Sequence, residues 1–305
     1  MLDNTLLVAQ QVGVLFVLMA VGGFAAKAGW LTGSGAKQMT TILLYIVTPC
    51  VIIQSFTTAT FTSELIHGML LSAVFAIGLH IFGVITAYPL FKNQPSERRG
   101  VFNMTLTFSN CGFMGVPLVA GILGEEAVVY VSVFLVIFNI FSWTYGVIQF
   151  LPKFSLKAAL VNPGTLSLAA GLLVALLRFQ PPPIIGEPIR LFAALNSPVA
   201  MIVLGYYLFT TSLRPQKGDG AMWLAISVRL VAAPAIALVL SYTLGLSGLW
   251  LSTSLILTAA PSAVNALLFA AKFGGDTALA ARTVSWCTIL SMVTMPLVLG
   301  VALGI

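Results

Sequence analysis

The sequence predicts an all-α membrane protein of ten transmembrane helices, arranged as two inverted five-helix repeats with the fourth and ninth helices broken. Three observations lead to that class. The chain of 305 residues is 59% hydrophobic and only 7% charged, against about 25% charged in an ordinary soluble domain. Apolar runs of membrane-spanning length separate its charges, and landmarks of the first half recur in the second. Too few polar groups remain to clothe a globular surface, which excludes a soluble enzyme.

Charged, Gly and Pro clusters divide the chain into runs at about 5–26, 38–57, 65–91, 100–122, 126–150, 164–179, 188–211, 221–245, 249–272 and 279–304. These approach or exceed the roughly 20 residues that carry a helix across about 30 Å of hydrocarbon. The ten-residue alternation of a membrane β-barrel is missing. The first run follows an acid, Asp3, and lacks a basic leader region, so it reads as a retained span. The runs group as a first repeat over 1–150, a short cytoplasmic linker over 151–162 and a second repeat over 163–305.

Eleven of the 14 basic residues fall at one set of helix ends: Lys27 and Lys37, then Lys92, Arg98 and Arg99, then Lys153 and Lys157, then Arg214 and Lys217, then Lys272 and Arg282. The opposite loops hold Arg178 and Arg190, and Arg229 lies within the eighth run. This bias places the eleven in the cytoplasm and both termini outside a bacterial inner membrane. The net charge of +6 is therefore a topology signal, and nucleic acid is not an expected partner. Cys50, Cys111 and Cys287 all sit in apolar stretches, so neither a disulfide framework nor a metal site is indicated.

Pro49 in IVTPCVIIQSF is echoed by Pro198 in NSPVAMIVLGYYL at an offset of 149, and Gly124 by Gly275 at an offset of 151. Five spans per half, an odd number, turn the second copy upside down, the arrangement expected of alternating access. The fourth run contains TFSNCGFMGVPLVAGILG, with Asn110, Gly112, Gly115 and Pro117 near its middle; the ninth contains Pro261, Ser262 and Asn265 at matching depth. Proline removes a backbone donor and clashes with the carbonyl four residues back, so each run is expected to unwind there. Unwound backbone in lipid must line a cavity or be buried. Two such breaks at equal depth point to a shared midplane site, where helix N-termini offer free amides and partial positive charge to an anion. Mid-span amides are costly without partners, so Asn110 and Asn265 are expected to reach a ligand, an ion or each other.

With NCGFMGVP in its fourth span, PSAVNALLFA in its ninth and two halves of five spans, the chain resembles, over its full length, the auxin efflux carrier family. That family includes the plant PIN-FORMED auxin exporters and bacterial carriers of malonate, malate and similar acids. The resemblance implies a bile acid sodium symporter-like fold in which two broken helices cross near their prolines, a scaffold built largely from the second and seventh spans, and a homodimer. Carried over by position, Pro117 and Pro261 flank the crossing, Asn110 and Asn265 are its polar side chains, and Asn139 matches an Asn frequent at that place in the family. Only about a dozen residues around LPKFSLKAALVN join the halves, which resembles a compact prokaryotic member.

Other polar groups fill out the expected site. Thr48, Pro49 and Cys50, with Asn196, Ser197 and Pro198, put paired polar breaks in the second and seventh spans, as cavity wall or as close helix packing. Arg229, about eight residues into its helix, is an intramembrane charge: a source of positive potential for an anion, a brace between domains, or a snorkelling side chain. His80 stands 149 residues before it, and His67 reads as interfacial. HExxH, GxSxG and Walker A motifs are absent, so neither these catalytic centres nor ATP drive is expected and no cofactor is called for. No acid lies deep in a span; Na+ held by oxygens of Ser109, Thr258 and Ser262, H+ coupling and uniport are all left open. The expected function is secondary transport of small organic anions, mono- or dicarboxylates or auxin-like acids, by alternating access. The alternatives are a gated anion channel and a non-transporting membrane sensor.

Overall fold

The computed structural model describes residues 2–302 except 60, 151–160, 162, 178, 215 and 217. Lys153, Lys157, Arg178 and Lys217, together with most of the linker expected over 151–162, lie outside the described residues. The described chain is helical throughout, its sole β-type pairing being an isolated bridge between Ser109 and Ser262. In chain order the helices are α1 (Leu2–Lys27), α2 (Gly33–Thr58), α3 (Ser63–Phe91), α4 in two halves (α4a Ser96–Thr107, α4b Cys111–Leu123) and α5 (Glu125–Gly146). They continue as α6 (Pro163–Leu176), α7 (Pro183–Thr210), α8 (Gly220–Thr243), α9 in two halves (α9a Leu249–Ala259, α9b Asn265–Phe273) and α10 (Thr277–Ala302). Seven of these are long and apolar enough to cross a membrane; α4b, α6 and α9a are shorter apolar helices.

Local chemistry sets the ends. Thr32 and Thr62 cap α2 and α3 by accepting from the amides of Gly35 and Leu65 at 3.2 and 3.1 Å. Gly274 closes α9b at φ +88°, in the left-handed region open to glycine. Within the helices, buried hydroxyls such as Thr40, Ser254 and Thr283 donate to the carbonyl one turn back at 2.7–2.8 Å. Each thereby satisfies itself inside an apolar rod.

The prolines correct one expectation. Pro49 does not break the second span: α2 runs unbroken, widened into a π turn over Leu43–Val47. The same device precedes Pro117 (Cys111–Gly115) and Pro234 (Val228–Ala232). In each case the carbonyl four residues before the proline, at Tyr45, Phe113 or Leu230, belongs to the π turn. Widening the turn carries that carbonyl away from the pyrrolidine ring, so the helix bulges instead of opening. The seventh span bends at a single residue, Leu195, ahead of Asn196 and Pro198.

Two packing groups follow. α2 packs on α6 and α7, and α7 in turn lies along α1. α3, α4 and α5 pack together with α9a, while α8 and α10 pack on α4a and α9, and α10 also lies along α1, where the two groups meet. The α1–α7 contact is a backbone contact: a Cβ on Gly22 would stand 2.1 Å from the Ile202 carbonyl oxygen, and one on Gly205 only 1.9 Å from that of Met19. At one end, Asp219, 4% exposed, accepts from Arg282 at 3.0 Å and lies 3.9 Å from Arg98, which also stands 4.0 Å from Asp276. Arg98 and Arg282 therefore tie the ends of α4a, α8, α9 and α10, a role their use as topology markers did not disclose.

Gly205→Ala must push α1 and α7 apart, at a cost of about 1–3 kcal/mol for overpacking. Its melting temperature in detergent should fall below that of the parent, whereas Gly13→Ala, inside α1 where a Cβ meets nothing within 4 Å, should not lower it, since alanine favours the helix over glycine.

Candidate functional site

The first break spans Phe108–Asn110 and the second Ala260–Val264. They meet. The Asn110 amide donates to the Pro261 carbonyl at 2.7 Å, and the Ala263 amide donates to the Phe108 carbonyl at 2.9 Å. Ser109 and Ser262 face each other between these two bonds as an antiparallel bridge. A third amide, of Ser262, donates to Cys287 Sγ on α10 at 3.2 Å. Backbone groups released by each break are thus taken up largely by the other, as burial away from water requires.

Residue choice permits the approach. Ala260, before Pro261, is extended at φ −61° and ψ 145°, the conformation a following proline favours. A Cβ on Gly115 would lie 2.5 Å from a Leu257 methyl, so glycine lets α4b close on α9a. The Asn110 carbonyl turns back to accept from Met114 and Gly115 at 3.2 and 3.0 Å, which starts α4b immediately after the break.

Four half-helix ends converge here, and they are treated unequally. Arg229, 1% exposed, donates from Nη1 to the Leu106 carbonyl at 3.3 Å and from Nη2 to the Thr258 carbonyl. One guanidinium thereby covers the negative C-terminal ends of both α4a and α9a, each worth roughly half a charge. Arg229 neither snorkels nor lines the cavity; it joins the two broken helices to each other. The N-terminal ends of α4b and α9b have no such charged partner, although the Ala266 and Leu267 amides of α9b turn back to the carbonyls of Ala263 and Val264 at 3.2 and 2.9 Å. They open on a cavity of about 620 Å³ whose floor includes Ser109, Asn110, Gly112, Ala263 and Asn265.

Thr48, from α2, and Asn139, from α5, line the wall with Leu135, Phe138, Trp143 and Tyr207. Asn110 is 3% exposed and its Nδ2 has no acceptor. The Asn139 amide donates to the Leu135 carbonyl at 2.8 Å and that of Asn265 to Ser142 Oγ at 3.4 Å. The first amides of α4b, from Cys111 to Phe113, lack intrahelical acceptors by their position. The floor can therefore donate several hydrogen bonds to one small anion.

The expected residues separate into two sets. Thr48, Ser109, Asn110, Gly112, Asn139 and Asn265 share the cavity, while Pro49, Pro117, Pro261, Ser262, Thr258 and Arg229 do not line it. Pro117 sits in the second turn of α4b, just after its π turn and past the break it was expected to cause. Pro261 and Ser262 are inside the crossing, where they serve by backbone pairing. The expected Na+ oxygens are not gathered into a cage: the Thr258 hydroxyl donates to the Ser254 carbonyl at 2.7 Å, and its own carbonyl faces Arg229. The hydroxyls of Ser109 and Ser262 are buried without partners. His80 lies in a box formed by Phe108, Phe134, Phe138 and Phe141, at centroid distances of 5.0–6.2 Å. Its Nδ1 donates to the Ala76 carbonyl at 2.7 Å, and the cavity does not reach it. His67 is exposed at the start of α3.

An apolar helical bundle that keeps a polar-floored cavity at two interrupted helices has the architecture of a membrane transport protein. The profile of the family described as Membrane transport protein matches residues 7–154 and 148–299, and the chain belongs to that family, the auxin efflux carriers. It is similar to an uncharacterized transporter of Methanocaldococcus jannaschii, 24% identical over 299 residues that cover 93% of this chain and 95% of the relative. A second uncharacterized transporter, from Methanothermobacter thermautotrophicus, is 26% identical over 292 residues, covering 93% and 94%.

Arg229→Leu leaves the Leu106 and Thr258 carbonyls without their donors, at about 1–3 kcal/mol for each buried group. The variant should melt well below the parent in detergent, and millimolar guanidinium should raise its melting temperature while leaving that of the parent unchanged.

Proposed function

We propose that this protein is a secondary transporter of small organic anions, mono- or dicarboxylates, working by alternating access in a prokaryotic plasma membrane. The observation that carries this reading is the asymmetry of the crossing: its C-terminal dipoles are covered by Arg229, while the start of α4b, with Asn110 and Gly112, lines the cavity. A carboxylate on that floor accepts from the first amides of α4b and from Asn110, with Asn139 and Asn265 beside it, in surroundings where such bonds are strong. Leu135, Phe138 and Trp143 supply an apolar wall beside it.

In this reading the chain crosses the membrane ten times as two inverted five-helix units, and the Lys-rich helix ends face the cytoplasm with both termini outside. Lys37 and Lys272 line the cavity, so the conformation described is open to the cytoplasm. The α3–α5 and α8–α10 group, joined through the crossing, moves as a body against α1, α2, α6 and α7 and presents the site to the other side. With the C-terminal dipoles covered by a side chain, a downhill path for a monoanion is available: export across an inside-negative potential gains about 2.3 kcal/mol per 100 mV. The carrier is further proposed to act as a homodimer.

A thermal-shift panel of aliphatic and aromatic carboxylates, with and without Na+, identifies the substrate by stabilisation of the folded protein. In proteoliposomes that acid should show saturable uptake and counterflow. Asn110→Ala removes one hydrogen bond to a charged group, about 1.5–3 kcal/mol, and should raise KM for it about tenfold or more. Unchanged kinetics in that variant contradict the assignment of the floor.

A further inference from the structure

Among the described residues, the charged side chains that line the cavity are two exposed lysines. Lys37, on the first turns of α2, and Lys272, on the last turn of α9b, both line it and are exposed, and no Asp or Glu is among the lining residues. Their neighbours at the same end are spoken for: Arg282 pairs with Asp219, and Arg98 lies between Asp219 and Asp276. None of the ion pairs among the described residues involves Lys37 or Lys272. Lys272 instead holds its ammonium 5.7 Å from the centre of the Trp143 ring and 5.4 Å from that of Phe273. Aromatic faces steady a cation without neutralising it, and the N–H donors not turned to the rings remain for an anion.

We propose that Lys37 and Lys272 form a capture site for organic carboxylates at the mouth of the cavity, separate from the amide-lined floor. This rests on the carboxylate-carrier reading above and divides its binding step in two. The floor groups are neutral dipoles, effective only at contact. Two exposed, uncompensated ammonium groups at the rim of a cleft with apolar walls act at longer range and concentrate anions there, by tenfold or more in comparable clefts. A lysine is a compact, hydrated point charge on a flexible stem, suited to catching a carboxylate of any shape and passing it inward. Selection by shape then falls to the floor and walls. The two lysines ride on separately packed helices, α2 against α7 and α9b against α4a and α10. Relative motion of the two groups therefore dismantles the site, so that an anion is captured from this side alone.

Trp143, which lines the cavity beneath Lys272, reports on the mouth directly. The fluorescence of the purified full-length protein in neutral detergent, minus that of a Trp143→Phe variant, is titrated with iodide and separately with uncharged acrylamide. In the Lys37→Gln/Lys272→Gln double variant, iodide quenching should fall severalfold while acrylamide quenching stays the same, and the Lys37→Arg/Lys272→Arg form should keep the parent's response. Added potassium sulfate should weaken iodide quenching in the parent and have little effect on the Gln variant, because salt screens exposed charges. Radiolabelled malonate counterflow in proteoliposomes supplies the second readout: KM should rise about tenfold in the double variant, with most of the effect in KM and not in kcat. Iodide quenching that is the same in the parent and the Gln variant overturns the capture site. Lysine-dependent quenching in a protein that exchanges no carboxylate supports the capture site and overturns the carboxylate reading beneath it.

Discussion

The crossing at the centre of this protein is arranged around two peptide hydrogen bonds, Asn110 to Pro261 and Ala263 to Phe108. A helix interrupted in the middle of a bilayer exposes amides and carbonyls that lipid cannot satisfy. One interrupted helix alone would stand at a free-energy cost of about 1–3 kcal/mol for each group left unpaired. Two interrupted helices whose gaps coincide can satisfy each other, and the antiparallel Ser109–Ser262 bridge is the shortest possible sheet doing so. The pairing accounts for the breaks, for glycine at position 115, and for the placing of helix N-termini in the interior.

Arg229 is the second half of that solution. Pairing across the breaks leaves the carbonyl ends of α4a and α9a pointing into the protein, and a single guanidinium reaches one carbonyl of each. A charge this deeply buried is tolerated when hydrogen bonds and an opposing field compensate its desolvation, and two helix C-termini supply both. With the negative ends covered by Arg229 and the first amides of α4b without intrahelical acceptors, the start of α4b at Asn110 and Gly112 is left to line the cavity. Stability and the shape of the cavity share one construction, since the break that pairs with α9 also starts α4b beside the cavity.

Much of this was legible in the chain. Sparse charge and long apolar runs fix a helical membrane protein, because helices alone satisfy their own backbone at those lengths. Asn110 and Asn265 stood out since an amide in lipid needs a reason, and both line the cavity. Proline was the weaker guide. Pro49, Pro117 and Pro234 sit two residues beyond π turns that absorb their steric cost, and the break at Phe108–Asn110 contains no proline at all. What opens that helix is its partner, and pairing between segments 153 residues apart, Phe108–Asn110 with Pro261–Ala263, leaves no local signature. Arg229 was visible as a charge, with a brace among its possible roles, but its acceptors lie 123 and 29 residues away, so the helices it joins were not. Lys37 and Lys272 were hidden by a different cause: they satisfy the topology rule so well that nothing in their spacing sets them apart from the charges that pair.

The crossing itself is tested by a disulfide. Ser109 and Ser262 form the pair enclosed by the two backbone bonds, a geometry with Cα atoms about 4.5 Å apart, within the range a disulfide accepts. In a background with Cys50, Cys111 and Cys287 replaced by serine, Ser109→Cys/Ser262→Cys should form an intramolecular disulfide on mild oxidation in native membranes, seen by mass spectrometry as a linked peptide pair that resists alkylation. Two thiols that remain separately alkylated after oxidation would mean that the broken helices do not meet, and the account of both the fold and the site would fall with that result.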